Sequence, residues 1–411
     1  MPDDSEINTN LLKLINRARH TIDTLAKSGA DSMIVGGAVR NIIAQHNIPS
    51  KDIDITTTMN PSDAMDCLQN NGFKVIDTGS KFGSFTAIDP DGSFFEVTSL
   101  RKDIKCDGRH AIVAFGGTFA EDSLRRDFTI NAIYLDKNGR IYDFHNGIDD
   151  LKKGVVRFIG NPKERIKEDF LRILRFFRFS AKFAKSLDRE ALLAISHLSN
   201  GLQHISNERI HDEFLKIIYT GKTNIVRAMH DTGIINALFG SNFDINYAEL
   251  EYISNILDRG YILNCKTNAL IFLYFALCSE CEPDAIRSIA LSREENNLLD
   301  MLDILRSLHN ALKITNELRK ILVSNKRHYA KYILSCNRAL SVDVVLDLLD
   351  RSQKMPISGN DIMNEFGIVS GKIIGMMLDT AKQMWVESDF NASKEDIMTY
   401  LAPKISCFIS Q

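Results

Sequence analysis

A chain of 411 residues exceeds one compact core, and roughly two to four domains are expected. Its 44% hydrophobic and 25% charged content is that of an ordinary globular protein, and a net charge of −3 excludes one that coats nucleic acid through overall charge. The acidic start MPDDSEINTN is unlike a signal or transit peptide, and the longest apolar stretch, 269–278, is too short to cross a bilayer, so no membrane association is expected.

In chain order, residues 6–28 are predicted as a helix with Leu11, Leu12, Ile15, Ile22 and Leu25 on one side. From 32 to 144 short β-type runs dominate: SMIV, DIDIT, FKVI, SFTAI, FFEVTSL, FTINAIYL and IYDF. Helices after Gly37 and Pro61 interrupt them, which predicts an α+β head around a mixed sheet. Residues 100–122, polar and glycine-rich, read as a mobile loop. Beyond Asn146 the strand signals fade. Asn161–Pro162 is a helix start, a capping residue followed by proline at the first helical position. Helical stretches with short polar breaks follow to the end, making an all-α remainder. Seven scattered cysteines fit reduced thiols in the cytoplasm, and the Cys278–Cys281 pair lacks the second pair or histidine a zinc site needs.

The chemistry concentrates at a few strings. In IVGGAVR the paired Gly36 and Gly37 let backbone approach a phosphate, and Arg40 can neutralise it. In DIDIT, Asp52 and Asp54 lie two apart in a β-type run, so both carboxylates share one face while Ile53 points to the core. Carboxylates that close repel unless a cation lies between them, and oxygen donors suit Mg²⁺. Glu96, in FFEVTSLR, would complete the cage and help deprotonate an attacking hydroxyl; a surface residue of an edge strand is the alternative. In RRDFTINAIYLD one arginine is expected to face the site, with Arg126 preferred, while Asp127 pairs with the other.

Residues 163–189 carry nine Lys or Arg against four Asp or Glu. Within KEDFLRILRFFRF, Asp169, Arg172, Arg175 and Arg178 recur every third residue, predicting a stripe along one helix. A carboxylate beside a guanidinium makes an edge with one acceptor and one set of donors. Cytosine and adenine both offer an amino group beside a bare ring nitrogen and suit that edge; uracil and guanine offer the reverse. An exposed i,i+3 salt bridge is the plainer alternative.

GGAVR, DIDIT, FEVTSLR, DGRH, RRDFTINA, DFHNGIDDL, IGNPKERIKEDFLRILRFFRF and SNERIHDEF follow one another over residues 32–220, and PISGNDI follows at 356–362. In this order they resemble the class II tRNA nucleotidyltransferase and bacterial poly(A) polymerase family. The resemblance implies a polymerase-β-like head (1–145), a base-reading neck (146–220) and an RNA-binding helical body and tail (221–411). It implies Mg²⁺ on Asp52 and Asp54, with Glu96 as a third carboxylate, and nucleotide contacts from Gly37, Arg40 and Arg126. Asp169 and Arg172 would read the base in place of a template, with Arg175 and Arg178 near the nucleotide or acceptor end. The implied activity is CCA addition to the 3′ end of tRNA from CTP and ATP, with poly(A) addition or partial CC or A addition as alternatives. Asn41 departs from the Asp usual in the family and removes a charge beside Arg40. His211–Asp212 resembles a phosphohydrolase pair but reads better as a helix-face histidine, and Trp385 as core rather than an RNA-stacking platform.

Overall fold

The computed structural model describes residues 4–45, 53–218 (without 108–109, and backbone only within 102–113), 220, 222–240, 351–405 except 353 and 370, and isolated positions between 245 and 319. Asp52, the 269–278 stretch and the Cys278–Cys281 pair lie outside these residues. The chain divides into two compact units, Met1–Phe243 and Asp244–Gln411.

The alternating runs of the first unit build β1 (Ser32–Val35), β2 (Ile53–Thr57), β3 (Lys74–Gly79), β4 (Ser84–Ile88), β5 (Phe94–Ser99), β6 (Arg101–Asp107), β7 (His110–Phe115), β8 (Ile133–Leu135) and β9 (Ile141–Asp143). Seven of them form one sheet in the order β3-β4-β5-β2-β1-β8-β9. The sheet is mixed, because β2 and β5 run parallel while the other neighbours are antiparallel. Ile53 and Ile55 of β2 and Phe95 and Val97 of β5 point to one face. There they meet α1 (Asp4–Lys27), α2 (Gly37–Ile43) and α3 (Pro61–Asn70) through Leu11, Ile15, Ile22, Val39, Ile42 and Leu68. The opposite face carries a smaller cluster of Val35, Ala132, Tyr134 and Ile159. By the two-residue period of a strand, Asp54 and Glu96 belong to this second face.

Three expectations are corrected. Leu12 is 56% exposed, because the buried stripe of α1 runs through Leu11, Leu14, Ile15, Ala18, Ile22 and Leu25. The stretch 100–122 is not an irregular loop: β6 and β7 pair as an antiparallel hairpin, and α4 (Phe119–Leu124) follows, opened by a capping box between Thr118 and Glu121. The run FTINAIYL is a strand only over β8. Before it, Thr129–Asn131 form a 3₁₀ turn in which the Thr129 hydroxyl donates to Asp150 and the Asn131 amide to Asp127. Such side-chain bonds compete with a sheet ladder.

Helices then take over, with α5 (Gly147–Lys153), α6 (Pro162–Glu168), α7 (Leu171–Phe183), α8 (Arg189–Leu198), α9 (Asn207–Ile218), α10 (Thr223–Asp231) and α11 (Ile234–Phe239). Asn161 caps α6 as expected, accepting from the Lys163 and Glu164 amides, with proline at its first turn. In the second unit, α12 (Gly359–Phe366), α13 (Gly371–Glu387) and α14 (Lys394–Leu401) are described. Ser358 and Ser393 open α12 and α14 with capping boxes, and Trp385 is core, packed edge-on to Phe390. Among the described residues no helix is long and apolar enough to cross a membrane.

Candidate functional site

The site is built where β1 ends. Gly36 adopts φ 76°, a left-handed conformation that L side chains rarely take, and turns the chain from β1 into α2. A Cβ at this position would stand 3.1 Å from Asp54 Oδ2 and 3.8 Å from Arg126 Nη1, so the glycine opens a small space faced by both. Asp54 pairs in register with Val35 on one side and with Glu96 on the other. Because β2 and β5 run parallel, Asp54 and Glu96 are direct neighbours on one face, and Glu96 is exposed. Two carboxylates side by side provide the oxygen-only donor set that suits Mg²⁺. Among the described residues no cluster of three or more His, Cys, Asp or Glu converges as a metal site, and Asp52 lies outside them.

Asp127 does not partner either neighbouring arginine. Arg125 and Arg126 follow α4 rather than lying in an extended segment, and both reach back to Asp122 on that helix. Arg125 donates to Asp122 Oδ1 through Nε at 2.7 Å. Arg126 donates from Nε to Asp122 Oδ2 at 3.3 Å and to the Tyr134 hydroxyl at 3.0 Å, and that hydroxyl donates to Asp122 Oδ2 at 2.8 Å. Burial opposes the charge on Asp122, but Arg126, Arg125 and Tyr134 outweigh it and hold its pKa below the usual carboxylate range.

Arg40 is buried on α2. Its Nε and Nη2 donate to Asn41 Oδ1 at 3.2 and 3.0 Å, and its Nη1 to Asn131 Oδ1. The Asn41 amide thus supplies an acceptor to Arg40 without supplying a negative charge. The guanidinium also lies 4.9 Å from the Phe179 ring centre and 4.6 Å from that of Phe183. Burial, reinforced by Arg178 and Arg175, pulls the Arg40 pKa down to about 10 against the pull of Asp127.

The four-residue stripe is corrected in one respect. Asp169 is not on the helix: its extended backbone, φ −155° and ψ 108°, separates α6 from α7, and its Oδ1 accepts from the Leu171 amide at 3.1 Å. An Asp that bonds the backbone two residues on favours a break over a helix interior. Arg172, Arg175 and Arg178 follow on α7. Asp169 and Arg172 are held by different partners: Asp169 Oδ2 accepts from Arg209 of α9 at 2.9 Å, while Arg172 Nη1 donates to Glu168 Oε2 at 2.7 Å. Arg175 Nε donates to Asp127 at 2.8 Å and Arg178 Nε to Glu213 of α9 at 2.6 Å. Asn131 Nδ2 donates to Asp127 as well, so hydrogen bonds run from Arg40 through Asn131 and Asp127 to Arg175.

Asp122, Asn131, Glu168, Arg209 and Glu213 also partner site residues, and motif chemistry alone does not single them out. Arg209 lies in SNERIHDEF and Asn131 in RRDFTINA, motifs that gave their positions but not their contacts. His211 is buried on α9, 3.6 Å from Asp212 through Nδ1.

Residues 32–157 match a family model described as Poly A polymerase head domain, and residues 186–242 one described as probable RNA and SrmB-binding site of polymerase A. The Mus musculus protein named CCA tRNA nucleotidyltransferase 1, mitochondrial, is 31% identical over 92% of this chain and 88% of its own length. A CCA-adding enzyme of Streptococcus gordonii is 28% identical over 93% of this chain and 96% of its own. The crystal structure of a Bacillus stearothermophilus CCA-adding enzyme in complex with CTP superposes with a TM-score of 0.66 at 25% identity, covering 96% of this chain and 98% of that one.

Proposed function

This chain belongs to the family of CCA-adding tRNA nucleotidyltransferases, and from that premise we propose that it extends the 3′ end of tRNA with C, C and A, using CTP and ATP and releasing pyrophosphate. The observation that carries the residue assignment is the register pairing of Asp54 with Glu96 beside the Gly36 turn and Arg126.

In this reading Asp52 and Asp54 hold Mg²⁺, with Glu96 beside them. Mg²⁺ bound there would supply Lewis-acid activation of the terminal ribose hydroxyl and alignment of the α-phosphate. The hydroxyl oxygen bonds to the α-phosphorus, the bond to pyrophosphate breaks, and Glu96, beside Asp54 on the sheet, takes the hydroxyl proton. Gly36 and Gly37 let the triphosphate approach the backbone, Arg126 offers Nη1 to it, and Arg40 adds positive charge. Asp169 accepts from the exocyclic amino group of C or A, and Arg172 donates to the adjacent ring nitrogen. Both retain capacity for this, since each carboxylate oxygen has a second lone pair and Arg172 keeps Nε and the second Nη2 hydrogen, the first being given to the Arg125 carbonyl at 3.4 Å. Arg175 and Arg178 stand further along α7, near the nucleotide or the acceptor end. The head, neck and body divisions at 1–145, 146–220 and 221–411, and action in the cytoplasm, are part of the same proposal.

The test incubates the protein with tRNA ending before CCA and with each labelled nucleotide, separately and together. Addition of C, C and then A, and no more, is the expected result. A long adenylate ladder would make the protein a poly(A) polymerase, and a stop after CC, or a need for a CC end, a partial enzyme.

A further inference from the structure

We propose that Asp122 is a positioning residue that holds Arg126 away from Asp54, keeping that carboxylate for the metal and one guanidinium edge for phosphate. The inference rests on the proposed metal role of Asp54 and adds to it.

Arg126 stands between two carboxylates. Nε and Nη2 are turned toward Asp122, at 3.3 and 3.2 Å from its Oδ2, while Nη1 faces the space at Gly36 that Asp54 Oδ2 also faces. Arg126 and Asp54 carry opposite charges and face the same small space, so they attract across it. Whichever carboxylate Arg126 engages directly is the one it neutralises. Asp122 prevails because it is fully buried, where charge-assisted bonds are strong, and because Tyr134 bridges it to Arg126 Nε. Its helix is itself anchored, by the Thr118–Glu121 box and by a 2.8 Å bond between Ser123 Oγ and His145 Nε2. Without the Asp122 charge, Asp54 is the carboxylate left facing the arginine, and a guanidinium on a metal ligand competes with the metal.

The measurement is Mn²⁺ binding to the full-length protein without nucleotide, followed by electron paramagnetic resonance, with thermal melts as a check on folding. Asp122→Asn is expected to weaken Mn²⁺ binding roughly tenfold, the scale of one unit charge moved beside the site. In Asp122→Asn/Arg126→Ala the affinity should return to that of Arg126→Ala alone, a rescue that general destabilisation does not produce. Tyr134→Phe removes one tether while keeping the ring, so a smaller loss in the same direction is expected even if Asp122→Asn does not fold. Unchanged Mn²⁺ affinity in both Asp122→Asn and Tyr134→Phe, or a double variant as weak as Asp122→Asn, overturns the proposal. Full Mn²⁺ affinity in Asp54→Asn sinks the underlying metal assignment instead.

Discussion

Arg40 and the arginines of α7 are held in opposite ways. Arg40 has the neutral amides of Asn41 and Asn131 as acceptors and two phenylalanine rings as walls. On α7 each arginine meets a carboxylate: Glu168 for Arg172, Asp127 for Arg175 and Glu213 for Arg178. A guanidinium on neutral acceptors keeps its field and attracts polyphosphate at a distance. One locked to a carboxylate is partly compensated and fixed in direction, which suits reading a base edge by hydrogen-bond geometry. On the proposed assignment, the two jobs of a template-independent nucleotidyltransferase, attraction and discrimination, would fall to differently compensated arginines.

The largest expected effect breaks the attraction. Arg40→Met should weaken use of CTP and ATP alike, by about 3 kcal/mol or roughly a hundredfold in kcat/KM, with exclusion of UTP and GTP intact. A change in base preference would mean that Arg40 takes part in discrimination as well. Next, Asp169→Ala or Arg172→Ala should cost about 1–3 kcal/mol of discrimination, seen as UTP incorporation rising roughly tenfold to a hundredfold relative to CTP. Direct Mn²⁺ binding should not move in either variant.

Asn41→Asp sharpens the comparison by giving Arg40 the compensation α7 already has. It should raise the KM for both nucleotides by about threefold to tenfold, as a neutralising charge at contact distance does under partial screening. The pH behaviour follows with a definite sign. Because the Arg40 pKa in the folded chain lies at about 10, below the ordinary guanidinium value, the native state releases this proton first. Its burial therefore costs stability at neutral pH, and that cost is relieved as pH rises through 10 toward the ordinary value. Metal-free CTP binding by equilibrium dialysis should weaken over the same rise, and in Asn41→Asp the weakening should shift to higher pH.

The smallest effect on chemistry is expected at Gly201, where a Cβ would stand 2.0 Å from the Phe170 ring. Gly201→Ala must displace that ring, next to Asp169, and should cost about 1–3 kcal/mol of stability in thermal or denaturant melts. Misincorporation should rise slightly while nucleotide KM holds.

What the sequence made legible was what local pattern encodes. The Asn161–Pro162 start, the strands flanking Asp54 and Glu96, and the buried phenylalanines of α7 all follow from periodicity or capping chemistry. The errors share a cause. Alternation in an extended segment pairs Asp127 with a neighbouring arginine, whereas a 3₁₀ turn follows it and Arg175, 48 residues away, takes it. Threefold spacing makes Asp169 one step of a helical stripe and ignores a carboxylate bonding its own backbone. Arg209 and Glu213 reach α7 from α9, a distance in sequence that no short-range spacing encodes.

The parallel pairing of β2 with β5 has a consequence for how this protein comes into being. Between the two strands the chain must complete α3, β3 and β4, so Asp54 and Glu96 meet only after a large loop has closed. Contacts so distant in sequence form slowly and late in refolding. A divalent cation held as proposed would gain Glu96 as a neighbour only on the finished sheet, so it would lock the folded state and raise the melting temperature with its concentration.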